Sequence, residues 1–244
     1  MNLSYKIFIS LVLAVIVGLF AGETSVPWLK MWLAPIGTMF INLIKMMIVP
    51  VVLSSLIVGV ASLGDPKKLG RIGLKTILFY LCTTAFALAL AIGLALILQP
   101  GVGTALTAAE APKIKEAPTF MQVIVNMIPS NPVMAMANAD MLPIIIFALF
   151  VGLGITYAGS KGTPVLSFFD ALAEVSYKII AIIMELSPYG VFALLVPVVA
   201  ANGPKVLLPL LAVIMTVYLG CILHAVFVYS SLVLSLGKTS PLAF

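Results

Sequence analysis

The sequence predicts an all-α protein that crosses a membrane about six times. Two observations carry this. The 244 residues are 63% hydrophobic and only 9% charged, with a mean hydropathy of +1.25, and a soluble domain needs far more charge to cover its surface. Several uninterrupted apolar runs also exceed the ~18 residues that a helix rising 1.5 Å per residue needs to cross the hydrocarbon core. They do not alternate polar with apolar, which argues against a β-barrel.

The first run, about 5–22, carries Lys6 and an apolar stretch, as a secretory leader would. It reads as an uncleaved span, with Gly18-x-x-Ala21 the feature that keeps a cleaved leader as the alternative. The second run, about 33–63, and the fifth, about 166–200, are too long to stand perpendicular to the membrane and should tilt or bend. Pro50 interrupts the second, and Pro188 and Pro197 the fifth; each removes a backbone donor. The third, fourth and sixth runs cover about 72–98, 140–158 and 205–236.

Between them, "GDPKKLGRIG" (64–73) reads as a basic turn and 100–118 as a Pro-rich and small-residue linker. The stretch 119–143 holds Pro129, Pro132 and Pro143 and predicts short helical pieces, some at the interface. Lys and Arg in short loops set orientation. With the N-terminus inside, Lys6, Lys67, Lys68, Arg71, Lys161 and Lys238 are cytoplasmic, against Lys30, Lys113, Lys115 and Lys205 outside. Both termini are then cytoplasmic. Opposed orientations of spans one to three and four to six would fit an inverted repeat.

The net charge of +5 is scattered over loops, with no basic stripe interleaved with aromatics, so nucleic acid is not an expected partner. Cys82 and Cys221 lie in apolar runs, without metal spacing or a disulfide framework. Enzyme motifs are absent: no HExxH, no GxSxG, no phosphate loop. "AGSKGT" (158–163) has the wrong glycine spacing for the last. No enzyme and no organic cofactor is expected.

The most informative stretch is "FYLCTTAF" (79–86), with Tyr80, Thr83 and Thr84 inside the third run. Positions i, i+3 and i+4 share a helix face. Thr hydroxyls in such helices bond back to a carbonyl one turn earlier or pack against a neighbour. Neutral oxygens at this density also suit part of the shell of a desolvated hard cation, with the remaining ligands from elsewhere. Lys45 reads as a snorkelling stem or a contact to a substrate or lipid headgroup. Glu185 reads as interfacial or structural, with proton coupling as the alternative, and His224, the sole histidine, as a hydrogen-bonded packing residue.

Longer motifs add a resemblance. "GTMFINLIKMMIVPVVLSSLIVGVASLGD" (37–65) followed by "LGRIGLKTILFYLCTTAFAL" is similar to the second and third spans of the dicarboxylate/amino acid:cation symporters, the glutamate-transporter family. "IPSNPVMAMANADMLPIIIFALFVGLGI" (128–155) resembles their fourth-span region and "SPYGVFALL" (187–195) their fifth. The resemblance covers 1–244. It implies a bacterial inner-membrane symporter coupling Na⁺ or H⁺ entry to uptake of glutamate, aspartate or a C4-dicarboxylate. It also implies a homotrimer in contact with membrane lipid. By the same resemblance, 1–70 and 119–204 correspond to the scaffold, 71–99 and 205–236 to the transport domain, and 100–118 to a linker. Tyr80, Thr83 and Thr84 then match the third-span contribution to a sodium site. The family fold continues beyond its sixth span with re-entrant hairpins and two more spans, including an Asn-Met-Asp-Gly-Thr motif that this sequence lacks. The expectation is therefore an N-terminal portion, inactive alone, or alternatively a non-transporting scaffold able to oligomerise. The residues that select substrate are not expected in this stretch.

Overall fold

The computed structural model of the protein describes residues 2–62, 66–100, 119–235 and 240. Those residues form helices and connecting turns, with no strand among them. Contacts divide the chain into two compact units, Met1–Arg71 with Ala111–Ala201, and Ile72–Glu110 with Asn202–Phe244.

In the first unit, α1 (Leu3–Ala21) ends where Gly22 takes φ 66°, and one 3₁₀ turn (Glu23–Ser25) leads into α2 (Val26–Ala61). The helix starts seven residues before the apolar run at 33. Pro27 explains the difference: in a first turn its missing N–H is one that no helix would use. Lys30 therefore stands on α2 and not in a preceding loop. At 36 residues α2 is ~54 Å long, well beyond the ~30 Å core, so it must tilt or protrude. Pro35 and Pro50 lie inside it without ending it.

Two capped helices precede the next span. α4 (Phe120–Asn126) opens with a capping box: Gln122 N–H donates to Thr119 Oγ1 at 3.4 Å, and Thr119 N–H to Gln122 Oε1 at 2.9 Å. α5 (Pro132–Asn138) is capped by Asn131, whose Oδ1 accepts from the N–H groups of Val133 and Met134. α5 ends at Ala139 in the left-handed region, φ 56°. These are the short pieces that the proline spacing predicts.

α6 (Met141–Ala158) and α7 (Thr163–Glu185), joined by a 3₁₀ turn, both pack along α2. Ile57, Ala148 and Ile155 form the buried seam. Gly152 is what allows the approach, since a Cβ there would lie 2.7 Å from Val60 Cβ. α8 (Ser187–Asn202) packs on α1, where Ala14, Leu29, Val196 and Ala200 are buried together.

The predicted fifth segment is thus two helices, divided at Leu186. Pro188 has no N–H for the Met184 carbonyl, and Ser187 Oγ donates to it instead at 2.6 Å. Pro197, by contrast, sits buried within α8 and does not interrupt it. Among the described residues, five stretches are long and apolar enough to cross a membrane: Leu3–Ala21, Glu23–Ala61, Leu78–Leu98, Met141–Glu185 and Leu207–Ser235. The sequence expectation of about six differs because α6 and α7 form one run while α8, at 16 residues, falls short. The fold class is as predicted, an all-α, multi-pass membrane protein.

The second unit contains most of α3 (Pro66–Leu98), α9 (Leu207–His224), one π-helical turn (Ala225–Tyr229) and α10 (Ser230–Ser235). Ser230 Oγ donates to the Ala225 carbonyl five residues back, at 3.4 Å, in keeping with the π register. The expected linker at 100–118 and the cationic positions Lys67, Lys68, Lys113, Lys115 and Lys238 rest almost wholly on residues, or side chains, outside those described.

Candidate cation site

The three hydroxyls of "FYLCTTAF" lie on α3, which runs unbroken through them. Its composition favours this: no proline after Pro66, and a leucine- and alanine-rich run, Ala85–Leu98, directly after the hydroxyls. Residues step by ~100° around a helix axis, so Thr83, Tyr80 and Thr84 spread over about a quarter of the circumference.

Their environments differ. Phe86, one turn beyond Thr83, meets the His224 ring at 6.4 Å, and a Cβ on Gly220 would touch Leu94 at 3.4 Å. These contacts mark the side of α3 turned to α9. Thr83 lies nearest that side and is half-buried, while Tyr80, 64% exposed, and Thr84 face outward.

Thr83 Oγ1 donates to the Phe79 carbonyl at 3.0 Å and lies 3.2 Å from that of Tyr80. This is the back-bond expected of a threonine in a membrane helix. It has a second consequence. With its single proton directed along the helix, the hydroxyl keeps its lone pairs outward as an acceptor. A back-bonded threonine is thus pre-oriented to face a cation, and neither role excludes the other. No group of three His, Cys, Asp or Glu able to hold a metal occurs among the described residues. Any cation here would rely on neutral oxygens and on ligands from outside the described residues.

The other sequence candidates stand apart from this face. Lys45 is exposed on α2. Glu185 is exposed at the last residue of α7, beside the break. His224 is half-buried at the end of α9, against the edge of the Tyr229 ring at 5.0 Å, and its Nδ1 is buried without a hydrogen-bond partner. The expected packing role fits these ring contacts, and Nδ1 is the ring nitrogen left without a hydrogen bond. Sequence spacing placed the three hydroxyls on one helix, as α3 does; it missed that Lys6 and Glu185 line one cavity with Tyr189, because nothing local relates residues so far apart.

The model of the sodium:dicarboxylate symporter family matches residues 3–244. The chain belongs to that family. Among curated relatives, this symporter-family chain is 40% identical over 227 residues to a proton/sodium-glutamate symport protein of Bacillus caldotenax, covering 89% of the chain and 53% of the relative. It is 35% identical over 242 residues to a proton/glutamate-aspartate symporter of Escherichia coli (strain K12), 93% of the chain and 55% of the relative. To a C4-dicarboxylate transport protein of Paraburkholderia phymatum it is 32% identical over 237 residues, 92% and 54%. The chain spans about half the length of the curated relatives it matches.

Proposed function

We propose that the protein is a secondary active symporter that couples Na⁺ or H⁺ entry to uptake of an acidic amino acid or a C4-dicarboxylate. The observation that carries this is the family match along residues 3–244, with relatives named for both substrate classes. The substrates share an anionic carboxylate pair, and a coupling cation offsets that charge on the way into hydrocarbon. Tyr80, Thr83 and Thr84 contribute part of the coupling-ion site through oxygens on one face of α3. Supporting this is the orientation of the Thr83 hydroxyl by its bond to Phe79.

Residues 1–70 and 119–204 act as the scaffold, and 71–99 and 205–236 as the moving part, as alternating access requires. In favour of this division, contacts separate the chain at Arg71/Ile72 and Ala201/Asn202, within a few residues of those limits. The scaffold assembles as a trimer. Asp170, Glu174 and Lys178 recur every four residues on α7, and the Glu174–Lys178 pair is 67% and 76% exposed. Such a charged stripe does not face hydrocarbon, and further copies of the chain would cover it. The protein resides in the bacterial inner membrane with both termini cytoplasmic, on the distribution of Lys and Arg.

The test is uptake of labelled glutamate, aspartate and succinate into proteoliposomes holding the whole protein, under inward Na⁺ or H⁺ gradients. Accumulation that collapses with the gradient is expected; gradient-independent equilibration sinks the proposal. Residues 1–244 alone are expected to give no uptake. Uptake by them would overturn the reading of this stretch as inactive by itself or as a scaffold.

A further inference from the structure

Within the first unit, α1, α2, the last residue of α7 and α8 line an open groove of about 510 Å³, within the size range of small-molecule sites. Its walls are arranged by register. Ser10 Oγ donates to the Pro188 carbonyl, and further along a Cβ on Gly18 would meet Val199. Both numbers rise together, so α1 and α8 run parallel. Lys6, one turn before Ser10, and Glu185, just before Pro188, therefore stand at the same end, with Tyr189 beside them. Leu13, Leu33 and Phe192 line the cavity away from that end.

The two charges at the mouth are opposite in sign, yet unpaired. Both side chains are exposed, and no nitrogen–oxygen approach within 4.0 Å joins them; the ion pair among the described residues is Glu174–Lys178. Ser10 has already committed its proton. A cation and an anion held apart over an apolar trough, in a helix bundle whose surroundings are lipid, form a complementary pattern. It matches a molecule with an anion and a cation a few atoms apart and a hydrocarbon tail.

We propose that this cavity binds a zwitterionic phospholipid with a primary-amine headgroup. The phosphate pairs with the Lys6 ammonium and is within the compass of the Tyr189 hydroxyl. The headgroup ammonium donates hydrogen bonds to the Glu185 carboxylate, and the upper acyl chain lies along Leu13, Leu33 and Phe192. The chemistry discriminates among lipids. A glycerol headgroup places no cation against Glu185, and a quaternary ammonium has no N–H to donate.

The test is native mass spectrometry of the whole protein in mild detergent, titrated with phosphatidylethanolamine, phosphatidylglycerol or phosphatidylcholine of matched chains. Phosphatidylethanolamine is expected to be retained about fivefold more tightly than either, the worth of one charge contact at a membrane surface. Glu185→Gln should erase that preference without weakening phosphatidylglycerol. Lys6→Gln should weaken both phosphatidylethanolamine and phosphatidylglycerol by a similar factor. The charge exchange Lys6→Glu with Glu185→Lys should restore part of the preference over Glu185→Gln. Equal retention of the three lipids by the unaltered protein overturns the proposal, as does a preference that survives Glu185→Gln. Thermal unfolding of each variant, expected unchanged because both side chains are exposed, separates lost lipid from lost fold.

Discussion

Replacing Thr83 by valine tests whether the α3 hydroxyls hold a coupling ion. Valine keeps the shape of threonine and exchanges only the hydroxyl for a methyl. The Phe79 and Tyr80 carbonyls lose a side-chain partner but keep their backbone partners in an unbroken helix, so neither is orphaned. The folding penalty should therefore stay at or below about 1 kcal/mol, the worth of one ordinary hydrogen bond. The effect on a bound cation should be larger. Taking the loss of an oxygen facing a charge as comparable to the loss of a charged hydrogen bond, about 1.5–3 kcal/mol, the half-saturating sodium concentration should rise about 10- to 150-fold. Thr84→Ala removes an outward hydroxyl and should act in the same direction. Thr83→Ser restores the oxygen and should recover most of the affinity. The assay is substrate uptake by the whole protein in proteoliposomes against sodium concentration, with melting temperature measured on each variant. An unmoved half-saturating concentration in both Thr83→Val and Thr84→Ala makes these hydroxyls packing groups. Uptake by the unaltered protein that needs no sodium equally removes the sodium assignment.

Other perturbations probe the scaffold. Gly152→Val forces a branched side chain against Val60 and should destabilise by about 1–3 kcal/mol; a melting temperature within one degree of the parent would show that the α2–α6 seam yields. Ala139→Gly removes a left-handed conformation from a residue with a Cβ and should stabilise by roughly 1 kcal/mol, read as a rise in melting temperature. Ser187→Ala leaves the Met184 carbonyl without the hydroxyl that replaces Pro188's missing donor, an expected loss of about 1 kcal/mol. Glu174→Lys sets like charges one turn apart at an exposed pair, which in isolation is worth under about 1 kcal/mol. If α7 faces further copies, trimers should give way to monomers in native electrophoresis, and unchanged trimers would refute that packing.

What the sequence disclosed follows from which forces act locally. The length of a membrane span is set by bilayer thickness, so the apolar runs declare themselves residue by residue. The α3 hydroxyls were legible for the same reason: their spacing is local and the helix period is fixed. Prolines within the long apolar runs were not legible in this way. Pro35, Pro50, Pro188 and Pro197 all lie in apolar runs, yet only Pro188 coincides with a helix end. Pro50 sits in α2, flanked by α6 and α7, and Pro197 is buried within α8. Packing by neighbours can hold a helix through a missing bond. At Pro188 the hydroxyl of Ser187 offers the freed carbonyl another partner, and the chain can end one helix and begin the next.

That break has a consequence that reaches from backbone to surface. Were 163–202 one straight helix, the direction in which Glu185 projects would be fixed by the same axis that packs α7 against α2. Division at Leu186 lets α8 align with α1 independently, as the Ser10–Pro188 bond and the Gly18–Val199 approach require. The carboxylate at the junction can then share a cavity with Lys6, a residue 179 positions earlier in the chain. A cation and an anion so distant in sequence leave no motif. What relates them is the parallel packing of two helices, and that packing depends on small residues: Gly18 admits Val199, and buried Ala14 lies beside Val196. A larger side chain at Gly18 should therefore separate α1 from α8 and disturb the Lys6–Glu185 cavity, although it touches neither charge.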